Sequence, residues 1–402
     1  MSTCLTQNET VDEIDNDYSS HTIKEYNTFD SMGIDDTLLR GIYAHGFEHP
    51  SMIQQKAIVP FSSGRDILAQ SQSGTGKTAT FLIGSLMQVT NDYTEHPKVL
   101  IITPTRELAL QIKSVSDALS SYKKINSIAL IGGTSVHIDI KSLRNDVNHI
   151  AIGTPGRVLH LLTKKYLHLS ELKCVILDEV DEMLSVGFEQ SIRDIFDFVS
   201  NDCQVAMFSA TMSESTKVVA RKILNNPLQI FVKNDEVTLE GISQFYINVQ
   251  KEDWKFPTLL DIYDKLSISQ TIIYINSKKK ADWLQEQLQK ESHTVSCLHG
   301  DMSQQERNSV LNDYRAGISR ILIATDIISR GIDIQQVSIV INYDLPIQKE
   351  TYIHRIGRSG RFGRKGVAIN LITYYDKQKL KNIEEFYNTE IAEMPMDISD
   401  FV

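Results

Sequence analysis

The stretch SQSGTGKT at 71–78 sets glycines, hydroxyls and one lysine on a turn between an apolar run and a helical pattern. Backbone amides of such a loop converge on phosphate oxygens, and the helix N-terminus adds positive potential. Ser73, Gly74, Thr75 and Gly76 are therefore expected to cradle phosphates. Lys77 should reach the terminal phosphates, and Thr78 should turn a hydroxyl toward Mg²⁺. Ser71 stands where the pattern usually has its first glycine. Farther on, CVILDEVD at 174–181 ends an apolar strand in three carboxylates. At the C-terminal end of a parallel strand, side chains project into the crevice where open α/β sheets bind ligands. Asp178 is placed to hold the water shell of Mg²⁺, and Glu179 to orient or deprotonate an attacking water. Alone, the cluster could be an acidic helix start, and DEVD also matches a caspase cleavage sequence. Paired with a phosphate loop, it points to hydrolysis of a nucleoside triphosphate.

These groups need a scaffold, and short apolar runs alternating with amphipathic stretches supply one. Strands are expected at 66–69, 98–103, 127–131, 149–152, 174–177 and 205–208, then at 271–275, 294–298, 320–324, 337–342 and 367–372, with helices between them. Continuous apolar runs bounded by turn residues suit parallel strands buried on both faces. The fold class is α/β, with two tandem lobes, each a parallel sheet flanked by helices. Residues 1–28 read as an acidic disordered tail, 29–232 as the first lobe, 233–242 (KNDEVTLEGI) as a linker and 243–402 as the second lobe. A linker of this length spans at most ~35 Å, so the lobes stay within reach of each other.

The formal net charge of −10 at first opposes a nucleic-acid partner. Residues 1–28, however, hold six acids and one lysine, so half the excess lies in the tail. The remainder is near balance, which suits local rather than broad electrostatic grip. No stretch approaches the ~18 consecutive apolar residues of a membrane span, so a soluble protein is expected. Cys4, Cys174, Cys203 and Cys297 form no CxxC pair, which makes a zinc or disulfide framework an unpromising reading.

The phosphate loop, DEVD, SAT at 209–211 and HRIGRSGR at 354–361 together resemble the DEAD-box RNA helicases, across residues 29–402. The resemblance implies two RecA-like lobes that close on ATP, Mg²⁺ and single-stranded RNA. By it, Phe29 packs on the adenine, and Gln54, in GFEHPSMIQ at 46–54, hydrogen-bonds the base edge. The RNA-facing elements of the first lobe are PTREL (104–108), Gly132-Gly133 and TPGR (154–157), with Arg106, Gly133, Thr154 and Arg157 as the expected contacts. In the second lobe, IIYIN (272–276), HGDMSQQER (299–307) and ATDIISRGID (324–333) complete the set, with Arg307 and Thr325 holding RNA. Arg358 and Arg361 reach the γ-phosphate as arginine fingers, and Asp333 meets the ribose or the fingers. Ser209 and Thr211 link the carboxylates to the RNA side, with His354 in the coupling set; a Ser and a Thr there also suit a helix cap. Val180 replaces the Ala of DEAD and Ser329 a common Ala, so tighter packing at Val180 is the expected consequence.

Within the family, TLEGISQFYINV (238–249), VINYDLPIQKETYIHRIGR (340–358) and FYNTEIAEMPMDISDFV (386–402) are similar to the translation initiation factor 4A group, including its exon-junction relative. That similarity implies a monomer in the cytoplasm, with the nucleus as the alternative. The expected partners are single-stranded RNA or short duplexes, and adaptor proteins bridging both lobes. Two activities share these motifs: unwinding of short duplexes, or an ATP-locked RNA clamp on which messenger RNP partners assemble.

Overall fold

The computed structural model describes residues 24–71, 75–231, 242–265, 270–326, 337, 339–357 and 366–395. Seven strands, β1 (Ile67–Gln70), β2 (Val99–Ile102), β3 (Ser127–Leu130), β4 (Ile150–Gly153), β5 (Cys174–Asp178), β6 (Gln204–Ser209) and β7 (Leu228–Phe231), form a parallel sheet in the order β3-β4-β2-β5-β6-β1-β7. The strands β8 (Ile242–Gln250), β9 (Thr271–Tyr274), β10 (Val295–Leu298), β11 (Ile321–Ala324), β12 (Ile339–Asn342), β13 (Gly366–Thr373) and β14 (Ala392–Glu393) form a second, in the order β10-β11-β9-β12-β13-β8-β14. Each strand of the second sheet takes the place of the strand seven before it. The two lobes therefore repeat one topology, although their sequences show no visible identity.

Alternation along the strands sends side chains to two apolar layers, one on each face of a sheet. In β5, Cys174 and Ile176 join the layer containing Phe81 and Phe208. Val175 and Leu177 join the layer containing Leu100, Met207 and Val180. Val180 is fully buried there, in keeping with a packing role.

Three strands were not expected from the sequence: β7, β8 and β14. Strands β7 and β14 are sheet edges, and only two residues of β14 cover β8. Edge strands bury one side only, so their sequences carry no continuous apolar run. Strand β8 begins at Ile242, so that residue belongs to the second sheet and not to the linker.

The second lobe also buries a charge cluster. Lys255 is buried, with its ammonium 2.9 Å from Asp344 Oδ1 and 3.1 Å from Glu252. Lys280 lies 2.5 Å from the same Asp344 oxygen, and the Asn276 amide donates to Asp344 Oδ2. Burial alone would raise the Asp344 carboxyl, but the two ammoniums outweigh it and hold it below the usual carboxylate range. Asp344→Ala is expected to cost on the order of 3 kcal/mol, because it leaves the buried Lys255 ammonium with only the exposed Glu252 carboxylate as partner. Urea unfolding checks this. A loss below about 1 kcal/mol, the range of exposed pairs, would show that Glu252 suffices as partner.

Candidate active site

The phosphate loop runs from the C-terminal end of β1 into the helix Lys77–Gln88. Gly76 caps that helix with φ +99°, a left-handed conformation that favours glycine. A Cβ at Gly76 would stand 2.5 Å from Gln54 Nε2, so the loop and the Gln54 amide pack without room for a side chain. Lys77 is buried; its ammonium donates to the Ser71 carbonyl at 2.8 Å and lies 3.5 Å from Glu179 Oε1. Ser71 and Thr75 hydroxyls are 2.5 Å apart, so the serine in place of the first glycine ties the loop to itself. Thr78 is half-buried in the first helical turn. Ser73 and Gly74 lie outside the described residues.

The adenine element differs from its expected arrangement. Phe29 is 0 % exposed, inside the first-lobe core and edge-to-face with Tyr43 at 6.4 Å. Enclosed in the core, its ring has no open face for a base in this conformation. Half-buried Tyr26, whose backbone N–H donates to the Gln55 carbonyl at 3.3 Å, is the neighbouring aromatic. Gln54 Oε1 accepts from the Ser51 amide at 2.8 Å in a capping box, and its Nε2 approaches the Gly76 carbonyl at 3.4 Å. Gln54 thus joins the start of the helix Met52–Ser62 to the phosphate loop.

Asp178 ends β5 fully enclosed, and Glu179 follows with φ 52°, a left-handed conformation unusual for a carboxylate residue. Burial, and then the neighbouring Glu179 charge, raise the Asp178 carboxyl well above its ordinary range. Glu179 Oε2 is buried without a hydrogen-bond partner. Two carboxylates facing one ammonium leave an excess of negative charge, which a hard divalent cation would neutralise; the donors present fit Mg²⁺.

Asp181, to which the motif reading gave no role, lies between the two lobes. Thr211 Oγ1 donates to Asp181 Oδ2 at 2.7 Å, and the Asp181 amide donates to Ser209 Oγ at 3.4 Å. Buried His354 of the second lobe places Nε2 3.8 Å from the same Asp181 oxygen. The visible signal was the third carboxylate of DEVD. Ser209 and Thr211 do not cap the helix that follows them, because Ser213 caps Glu214–Ile223 by accepting from the Thr216 amide.

On the expected RNA face, Arg106 opens the helix Arg106–Leu119, capped by Thr105. Its guanidinium lies over Gly132 and Gly133, where a Cβ on Gly133 would meet Nη1 at 2.3 Å. Gly133 has φ +83°. Gly133→Ala is expected to displace Arg106 and weaken RNA binding about tenfold, the equivalent of one charge-assisted hydrogen bond. Fluorescence anisotropy with labelled RNA and an ATP analogue measures it; unchanged affinity would remove Arg106 from the RNA face. Arg157 departs from expectation. It is buried, paired with Asp139 and donating to the Thr134 carbonyl at 2.7 Å, so it braces the Gly132-Gly133 loop. Buried Thr154 precedes the helix Pro155–Thr163, where exposed Gly156 has nothing within 4 Å of its would-be Cβ.

In the second lobe, Arg307 Nη2 donates to the Gly300 carbonyl at 2.9 Å, and its Nη1 reaches Glu107 of PTREL in the first lobe at 3.1 Å. Thr325 is buried, with an Oγ1 that has no partner. Arg355 was also missed by sequence reading. It is fully buried and donates to Asp326, Asn276, Asn342 and the Asp344 carbonyl, with its guanidinium over Tyr274. It thereby anchors the helix Glu350–Ile356, which leads toward Arg358. Asp333, Arg358, Arg361 and Ser329 lie outside the described residues.

Comparison with known proteins gives the family. The DEAD/DEAH box helicase family matches residues 51–219, and the helicase conserved C-terminal domain matches 254–363. The chain is 51 % identical over 385 residues to eukaryotic initiation factor 4A of Dictyostelium discoideum, covering 96 % of this chain and 95 % of that protein. The fold is similar to S. cerevisiae Dbp5 bound to RNA and ADP BeF3, with TM-score 0.85 and 37 % identity, over 93 % of this chain and 97 % of that one. It is also similar to Mss116p bound to single-stranded RNA and AMP-PNP, with TM-score 0.83 and 26 % identity, over 94 % of this chain and 81 % of that one. No helix among the described residues is long and apolar enough to cross a membrane. Repeated lobes, phosphate loop, buried carboxylates and these matches converge: the chain belongs to the DEAD/DEAH box helicases and is an RNA-stimulated ATPase and ATP-dependent RNA helicase of the DEAD-box type.

Proposed function

We propose that this helicase opens short RNA duplexes during translation initiation in the cytoplasm, with lobes 29–232 and 242–402 closing on RNA and ATP together. The observation that supports coupling is Asp181, joined to Thr211 and Ser209 on one side and close to His354 of the other lobe. A change at the γ-phosphate thus has a short route to the lobe interface.

In this reading Lys77 binds the terminal phosphates once it leaves Ser71 and Glu179, and Gln54 reads the adenine edge. Thr78 and Asp178 would hold Mg²⁺, which when bound neutralises phosphate charge. Glu179 orients and deprotonates the attacking water. Arg358 and Arg361 offer guanidinium groups to the γ-phosphate, and Asp333 positions them or meets the ribose. Arg106, Gly133, Thr154, Arg307 and Thr325 hold the RNA backbone. Arg157 acts on RNA indirectly, through the loop it braces. An adaptor protein touching both lobes raises activity by binding the closed form more tightly.

Strand displacement tests this reading. A short RNA duplex should be separated in the presence of ATP, with multiple turnovers and an ATPase rate stimulated by single-stranded RNA. Nucleotide-dependent retention of RNA without displacement would replace it with the clamp reading. The translation setting is tested separately, by adding back the protein to an extract depleted of it and measuring initiation on a structured leader.

A further inference from the structure

A cluster in the second lobe takes no part in the mechanism above. Cys297 lies on β10 and His299 follows it by two residues, while Asp282 comes from the helix Lys278–Lys290 packed against that strand. One ligand atom of each lies within 4.8 Å of the others. His299 Nε2 is 3.1 Å from Asp282 Oδ1, and His299 Nδ1 is buried with no hydrogen-bond partner. Cys297 is 5 % exposed and its thiol is free.

We propose that Asp282, Cys297 and His299 form a binding site for a borderline-soft divalent metal ion of the zinc class. The donor set decides the class: Mg²⁺ and Ca²⁺ take oxygen ligands, whereas one sulfur, one imidazole nitrogen and one carboxylate oxygen suit zinc. Tetrahedral zinc at ~2.0–2.3 Å from each ligand sets neighbouring ligands roughly 3.3–3.7 Å apart. The Asp282 side chain is 59 % exposed, so it can swing to close the remaining gap. Three protein ligands leave the fourth position to water, as in open zinc sites.

The thiol of Cys297 is pushed up to about 12 by burial and by the nearby Asp282 charge, so it carries its proton while the metal is absent. Binding forms a metal–sulfur bond, and the thiol proton leaves to solvent; no electron is transferred. The site also touches the lobe interface. His299 is followed by Gly300, whose carbonyl holds Arg307, and Arg307 reaches Glu107 across the cleft. A metal on His299 would stiffen the turn that carries this pair. Sequence reading could not find the site, because its ligands follow no CxxC spacing and Asp282 comes from another element.

The bland alternative is an Asp282–His299 pair beside a cysteine that merely fills the core. Titration of the full chain with Co²⁺, after chelation and desalting, separates the two. The expected result is one Co²⁺ per chain with thiolate-to-cobalt absorption, displaced by Zn²⁺. That absorption should vanish in Cys297→Ala, which should still bind ATP and Mg²⁺. Asp282→Asn should weaken Co²⁺ binding at least tenfold. Absence of thiolate absorption, or absorption that survives Cys297→Ala, overturns the proposal.

Discussion

Glu179→Gln is expected to lower ATP turnover by about 10²–10⁴, the range for loss of a general base, while ATP affinity stays within a few fold. The amide matches the carboxylate in shape but cannot take a proton from water. Affinity is spared because Glu179 does not hold the phosphates but competes for their partner, its Oε1 lying 3.5 Å from the Lys77 ammonium that ATP must recruit. The enclosed Oε2 has no protein partner, so the group is held ready for a ligand or water instead of serving the fold. Because hydrolysis is the exit from the closed state, the variant should hold RNA far longer than wild type when ATP is present. Steady-state ATPase, nucleotide titration and RNA release after a competitor chase measure the three effects. RNA release as fast as wild type in ATP would remove Glu179 from its assigned role. Lys77→Ala is the contrast, since it should lose phosphate affinity itself.

Arg361→Lys is expected to reduce RNA-stimulated hydrolysis by about 10³–10⁵, the contribution typical of an arginine finger. Charge is kept, but the planar fork that meets a phosphoryl group at two points is lost. The fragment 1–232 contains Lys77, Thr78, Asp178 and Glu179, so it should bind Mg-ATP and hydrolyse almost nothing. Support for a divided site comes from the contact between lobes in which His354 sits 3.8 Å from Asp181, and within the second lobe Arg355 anchors the helix that precedes Arg358 in sequence. RNA spanning both lobes then promotes closure, and by reciprocity ATP raises RNA affinity. Full RNA-stimulated hydrolysis in both Arg358→Ala and Arg361→Lys would mean that the cleft is not where the chemistry happens.

The phosphate loop, the strand-end carboxylates and most strands were legible in the sequence because each is encoded locally. A strand, a glycine-rich loop and a helix start follow one another directly within residues 67–78, and a buried parallel strand such as Cys174–Asp178 must be apolar up to the end that carries its carboxylate. Edge strands escaped because water on one side relaxes that requirement, as in Leu228–Phe231.

Partnership between charged groups was not legible. Arg157 and Arg106 look alike as strand-end arginines, yet one is buried against Asp139 and the other lies over two glycines. Arg307 meets Glu107 across 200 residues, and Asp181 meets His354 from the other lobe. Phe29 shows the same limit: its spacing matched an adenine element, but its enclosure depends on Tyr43 and the core around it. Residue type and local order set which chemistry the chain carries. Which carboxylate meets which cation, and which aromatic face stays open, depends on distance and burial between remote segments, and these exist only once each lobe has folded and, for Arg307 and His354, once the two lobes have met.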